Sequence, residues 1–123
     1  MIAYANFWPV REKLNLKAGY GYGHDSLSDN TVAGGANVGN SKGFFGEADY
    51  IVIPAKMEVG ARYDYLDPSS KVSHNNQKAY TFSVNAPIMH GMQFIGDYQH
   101  KTSEQPTGKN KDDTLEARVI FIW

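Results

Sequence analysis

The sequence predicts an all-β fold, an antiparallel up-and-down meander of about seven strands. Three observations predict it. Apolar residues recur at every second position in one segment after another, which is the repeat of a pleated strand with two unlike faces. Tyr (8) and Gly (12) are plentiful while Leu is scarce, a mixture that suits strands better than helices. Pro9, Pro54, Pro68, Pro87 and Pro106 fall between these segments or at their ends, and proline cannot donate to a central ladder.

The first segment, "IAYANFW", alternates only weakly. "LNLKAGYGYG" then sets Leu14, Leu16, Ala18, Tyr20 and Tyr22 against Asn15, Lys17, Gly19, Gly21 and Gly23. "GFFGEADYIV" sets Phe44, Gly46, Ala48, Tyr50 and Val52 against Phe45, Glu47, Asp49 and Ile51. "MEVGARYDYL" sets Met57, Val59, Ala61, Tyr63 and Tyr65 against Glu58, Gly60, Arg62, Asp64 and Leu66. "AYTFSVNA" sets Tyr80, Phe82, Val84 and Ala86 against Thr81, Ser83 and Asn85. "MQFIGDYQH" sets Met92, Phe94 and Tyr98 against Gln93, Asp97 and Gln99. The last segment, "TLEARVIFIW", has Leu115, Ala117, Val119, Phe121 and Trp123 on one side and Glu116 and Arg118 on the other. Short connections are expected at Pro9–Lys13, Pro54–Lys56 and Pro87–Gly91, and long polar ones at His24–Ser41, Asp67–Lys78 and Lys101–Asp113.

A chain of 123 residues is a single domain. Its net charge of −1 and its lack of a basic patch argue against nucleic acid as a partner. Without cysteine there is no thiolate metal site and no disulfide framework. No apolar run is long enough for a transmembrane helix. A membrane can also be crossed by strands, and three features favour that. Short and long connections alternate, as turns and loops do in transmembrane barrels. Aromatic residues gather toward strand ends: Phe7, Trp8 and Trp123 near the short turns, and Tyr22, Phe44, Tyr65, Tyr80 and Tyr98 near the long loops. The face opposite the apolar one is rich in charge, as the lining of an aqueous lumen would be. Strands of about 9–11 residues suffice to cross the hydrocarbon.

The final strand, closing on an aromatic residue with apolar residues at alternate positions, resembles the C-terminal signature of Gram-negative outer-membrane β-barrels. The succession "EVGARYDYLDP", a polar loop, "AYTFSVNAPI", a tight turn and "MQFIGDYQHK" is similar to the closing strands of porins, including the phosphate-selective porin O/P type. The resemblance runs from about Leu14 to Trp123. It implies an outer-membrane location, lipid and the barrel assembly machinery as partners, and a homotrimer as the common assembly. Leu115, Ala117, Val119, Phe121 and Trp123 match the strand that the machinery reads. An odd strand number and the lack of a secretory leader suggest one segment, residues 1–123, forming the C-terminal portion of a larger barrel, with Met1 internal or a misplaced start.

The function expected from these readings is a porin or channel for passive diffusion of small hydrophilic solutes or ions, with no catalysis and no cofactor. The expected lumen-lining residues are Lys17, Glu47, Asp49, Glu58, Arg62, Asp64, Asp97, Glu116 and Arg118. Carboxylates exceed bases among them, six to three, whereas an anion-specific pore calls for rings of Arg or Lys. Two alternatives stand beside this reading: a non-transporting structural or adhesive barrel, and a soluble β-barrel that binds an apolar ligand inside.

Other motifs carry less. "GGANVGNS" at Gly34–Ser41 has Asn40 where a phosphate-binding loop needs Lys, and a strand follows instead of a helix. The glycines of "GYGYGHD" alternate with Tyr inside a strand and leave space there. His24, Asp25 and Ser26 are adjacent in sequence, which is not how a triad is built. His24, His74 and His100 sit at loop ends, where solvated histidines are the ordinary reading and no metal site is expected.

Overall fold

A computed structural model describes residues 1–24, 40–68, 74–105 and 108–121. The chain forms one antiparallel sheet with the strands in sequence order. They are β1 (Ile2–Val10), β2 (Leu14–Gly23), β3 (Ser41–Ile53), β4 (Met57–Asp67), β5 (Gln77–Met89), β6 (Met92–Gln105) and β7 (Gly108–Phe121). Each strand pairs only with its sequence neighbours, so the meander is simple and the sheet is open at β1 and β7.

The tight turns share one cause. Between β1 and β2, Lys13 N–H donates to the Val10 carbonyl at 3.1 Å; between β3 and β4, Lys56 N–H donates to the Ile53 carbonyl at 2.9 Å. The third residue of each turn has a positive φ, 59° at Glu12 and 55° at Ala55. That is the geometry of a type II turn, and Pro54 supplies the fixed φ such a turn wants at its second position. The β5–β6 turn reaches the left-handed region at Gly91, where no Cβ opposes it.

Two expectations are corrected. Pro9 and Pro87 do not break their strands; they lie within β1 and β5 at shifts of register between Phe7 and Val10 and between Pro87 and Met89. A bulge removes the need for one ladder donor, which is the place a proline tolerates. The polar stretch Lys101–Asp113 is not a long loop. It is the tall end of the β6–β7 hairpin, with Thr102 opposite Lys111, Ser103 opposite Asn110, Glu104 opposite Lys109 and Gln105 opposite Gly108. The alternation of short and long connections therefore holds for the first two long segments and not for the third.

Register carries the alternation of each strand into a continuous face. Phe7, Leu16, Ala48, Ala61, Phe82, Tyr98 and Leu115 form one cross-strand row. A parallel row of rings runs beside it. Phe44 stacks on Tyr65 with centroids 5.2 Å apart, and Tyr63 meets Tyr80 at 4.9 Å. This apolar face is the open one: Phe44, Tyr80 and Phe82 keep 45, 46 and 56% of their surface exposed. It carries a shallow depression of about 360 Å³ floored by the small residues Gly46, Ala48 and Ala61. No hydrophobic residue is buried among the described residues, and the two residues that are buried, Asn15 and Asp67, are polar.

Candidate functional site

The opposite face carries the charge. Because side chains alternate, the pairing of Lys17 with Glu47 and of Glu47 with Arg62 sets three ionic groups in one cross-strand row. One step toward the short turns, the paired positions Asn15, Asp49, Gly60, Ser83, Asp97 and Glu116 make a second row. That row holds carboxylates without a base. Its neutralising cations come from the rows on either side.

Two ion-paired networks result. In the first, Lys17 Nζ lies 2.7 Å from both Glu47 Oε1 and Asp49 Oδ2. Arg62 Nη1 reaches Glu47 Oε2 at 3.2 Å, and its guanidinium forks onto Asp64, Nε to Oδ2 at 2.9 Å and Nη2 to Oδ1 at 2.7 Å. The same guanidinium lies 4.3 Å from the centroid of the Phe45 ring. Phe45 in turn lies over Gly19, where an added Cβ would overlap the ring. The second network is Arg118 Nη2 on Asp97 at 2.5 Å and Arg118 Nε on Glu116 at 3.1 Å. Between the two lies a neutral stretch, where Gln99 donates to Thr81 at 3.1 Å and Gln93 donates to Asn85.

These groups are half covered. Side-chain exposure is 29% at Lys17, 19% at Glu47 and 14% at Asp49. For these three groups the inequality between faces is reversed from that of a soluble sheet, the rings and aliphatic chains opposite being the more exposed; on the edge strand β7, Arg118 and Glu116 keep 50 and 54% of their side chains exposed. Crowding on the polar side accompanies concavity there. A hollow of about 1040 Å³ opens on that face toward the long-loop end, bounded by Tyr4, Gly21, Phe45, Arg62, Gln77 and Lys101. Gly21 leaves its floor low, since nothing stands within 4 Å of a Cβ built there.

All the expected polar-face residues share this side of the sheet. The structure joins Lys17, Glu47, Asp49, Arg62 and Asp64 in one network and Asp97, Glu116 and Arg118 in the other. Glu58 is left apart, opposite Ile51 and Asn85. Sequence reasoning missed Phe45 as the platform under Arg62, and the Thr81–Gln99 and Asn85–Gln93 contacts. All three need the register, which no single strand reveals.

Above the aromatic row, the open face ends in a polar rim. Tyr98 Oη donates to Asp113 Oδ1 at 2.8 Å, His100 Nδ1 is 2.7 Å from the same oxygen, and Lys109 pairs with Glu104 at 2.8 Å. Of the C-terminal signature, Leu115, Ala117, Val119 and Phe121 face the open side beside Tyr98, Gly96, Phe94 and Met92. Trp123 lies outside the described residues, as do Asp25, Ser26 and positions 34–39 of the glycine-rich stretch. His24 contacts Asn40. Among the described residues, no group of three or more His, Asp or Glu is placed to hold a metal ion. No family model, no curated protein and no solved structure matches the chain.

Proposed function

We propose that this sheet is wall of a transmembrane β-barrel in the outer membrane of a Gram-negative bacterium, and that the barrel is a porin-like channel for small hydrophilic solutes or ions. The observation that carries the reading is the inverted sheet. A wide apolar face stands open while the ionised face is concave and internally paired. In water the open face would expose far more contiguous apolar surface than a soluble monomer carries. Against hydrocarbon it is the face a barrel presents, with rings toward one boundary and a polar rim beyond them.

The channel would work by passive diffusion through a water-filled passage whose wall is biased toward cations. The row holding Asp49, Asp97 and Glu116 supplies that bias, with Glu58 one row away. Lys17, Arg62 and Arg118 offset part of it and stiffen the wall. The ion-paired wall fits a non-conducting barrel equally in its geometry, so conductance is the deciding property. A soluble barrel holding an apolar ligand would need Tyr63, Phe82 and Val84 turned inward; that the larger hollow opens instead on the side of Arg62, Asp64 and Thr81 favours the channel reading.

Single-channel recording in planar bilayers tests this reading. The expected result is discrete conductance steps, with a reversal potential in a salt gradient that reports cation preference. Glu58→Gln and Asp97→Asn should each move that potential toward zero. Absence of any conductance from protein inserted in the bilayer would remove the channel reading, and an unchanged reversal potential in both variants would remove the polar-face assignment.

A further inference from the structure

The row of the polar face that holds carboxylates without a base is notched at Gly60. A Cβ built there would lie 2.5 Å from Ser83 Oγ and 2.9 Å from Asp49 Oδ1, so both oxygens lean over the glycine from the strands on either side. Asp49 gives its other oxygen, Oδ2, to Lys17 at 2.7 Å. Asp97, next in the row beyond Ser83, gives its Oδ2 to Arg118. Each carboxylate therefore has a second oxygen to offer.

An independent observation stands at the other side of Asp49. Asn15, its partner in the register on the same face, is only 6% exposed, and among the described residues its Oδ1 meets no hydrogen-bond donor. A buried amide oxygen left without a donor marks a place for a bound water or ion. The row thus runs from an amide oxygen through a carboxylate, a glycine notch and a hydroxyl to a second carboxylate. Charge selects the ion. Each of the two networks holds one carboxylate more than its bases, and Glu58 adds another one row from Gly60. A divalent ion calls for several carboxylates in its shell, and the Lys17 ammonium already on Asp49 would repel it twice as strongly as a monovalent one. One carboxylate oxygen among neutral oxygens suits a single positive charge.

We infer that the row Asn15, Asp49, Gly60 and Ser83 is a binding site for an alkali-metal cation, seated over Gly60 and held chiefly by Asp49 Oδ1 and Ser83 Oγ. The inference deepens the channel reading and rests on it for the water that brings the ion to this face. In that channel the site is where a permeating cation exchanges part of its hydration for protein oxygens. Glycine at position 60 is a condition of the site, because the first atom of any side chain there would stand against both oxygens.

The test compares sodium chloride with tetramethylammonium chloride at equal ionic strength, the organic cation being too large for the notch. The full chain is held in detergent micelles and its unfolding midpoint is followed as one salt replaces the other. An ion that binds only the folded sheet raises the midpoint with its concentration, so the midpoint should climb in sodium and stay level in tetramethylammonium. Gly60→Ala closes the notch without altering any charge, and Ser83→Ala removes one oxygen without crowding, which keeps the test decisive if the first variant fails to fold. Each should weaken the sodium affinity read from that climb by at least about tenfold. Gly46→Ala, whose added Cβ meets nothing within 4 Å on the open face, should leave the climb unchanged. Equal midpoints in the two salts, or a climb that survives in Ser83→Ala, would overturn the site. So would calcium raising the midpoint at far lower concentration than sodium. A sodium-dependent midpoint in a protein that carries no current would uphold the site and remove the channel reading. An indifferent midpoint in a protein that conducts would do the reverse.

Discussion

At the scale of the residue, the sheet is most specific where a side chain is missing. Gly19 leaves the space into which the Phe45 ring folds, and the same ring carries the Arg62 guanidinium. Gly19→Ala should therefore destabilise the sheet by about 1–3 kcal/mol, because the ring has to move and the cation loses its platform. In a Phe45→Ala background the same substitution should cost almost nothing, a non-additivity that denaturant titrations of the four proteins would measure. The turns predict the opposite sign. Ala55 holds a left-handed backbone that costs an L-residue about 1–2 kcal/mol, so Ala55→Gly should raise stability by about 0.5–1 kcal/mol, the remainder going to the added freedom of the unfolded chain. A fall in the unfolding midpoint would show that the turn is not strained.

At the scale of the element, the two faces make different demands. Ala61 lies midway along β4 on the open apolar face, and Ser83 lies on the polar face of β5 between Gly60 and Asp97. If the open face meets hydrocarbon, Ala61→Arg should cost about 2–4 kcal/mol in a bilayer, while Ser83→Arg should cost less than about 1 kcal/mol. Equal and small effects would mean that water bathes both faces. Contrast between faces also explains how much could be read in advance. β2 was legible from Leu14 to Gly23 because Leu and Tyr alternate there with Asn, Lys and Gly. The upper β6–β7 hairpin was not, because Thr102, Ser103, Glu104, Lys109, Asn110 and Lys111 are polar on both faces. Hydrogen bonding continues past the apolar band, but the period-two signal ends with it. Pro9 and Pro87 misled for a related reason: a bulge satisfies a proline without ending a strand, and nothing in the local composition announces the bulge.

At the scale of the whole molecule, stability and the proposed function draw on one arrangement. Among the described residues there is no apolar core, so cohesion within the sheet rests on the ladder, the ring-to-ring row and the ion-paired polar face. The membership of that polar face could be read from alternation alone: Lys17, Glu47, Arg62 and Asp97 each stand between small or apolar neighbours on their own strands. Their grouping into two networks with a neutral stretch between them could not, since it depends on which residues the register sets side by side. That register makes a specific demand on Lys17. Lys17→Met would leave Glu47 and Asp49 together without their shared cation, and it should lower stability while, in the proposed channel, raising cation preference.

In the proposed channel the apolar face meets lipid and the ionised face meets water. Single cysteines placed along β5 in this cysteine-free chain test it most directly, in protein inserted in vesicles and exposed to a membrane-impermeant thiol reagent. Thr81→Cys, Ser83→Cys and Asn85→Cys should react, while Phe82→Cys and Val84→Cys should not and should be quenched by brominated acyl chains when fluorescently labelled before insertion. Uniform reactivity along the strand, or the inverse alternation, would contradict it.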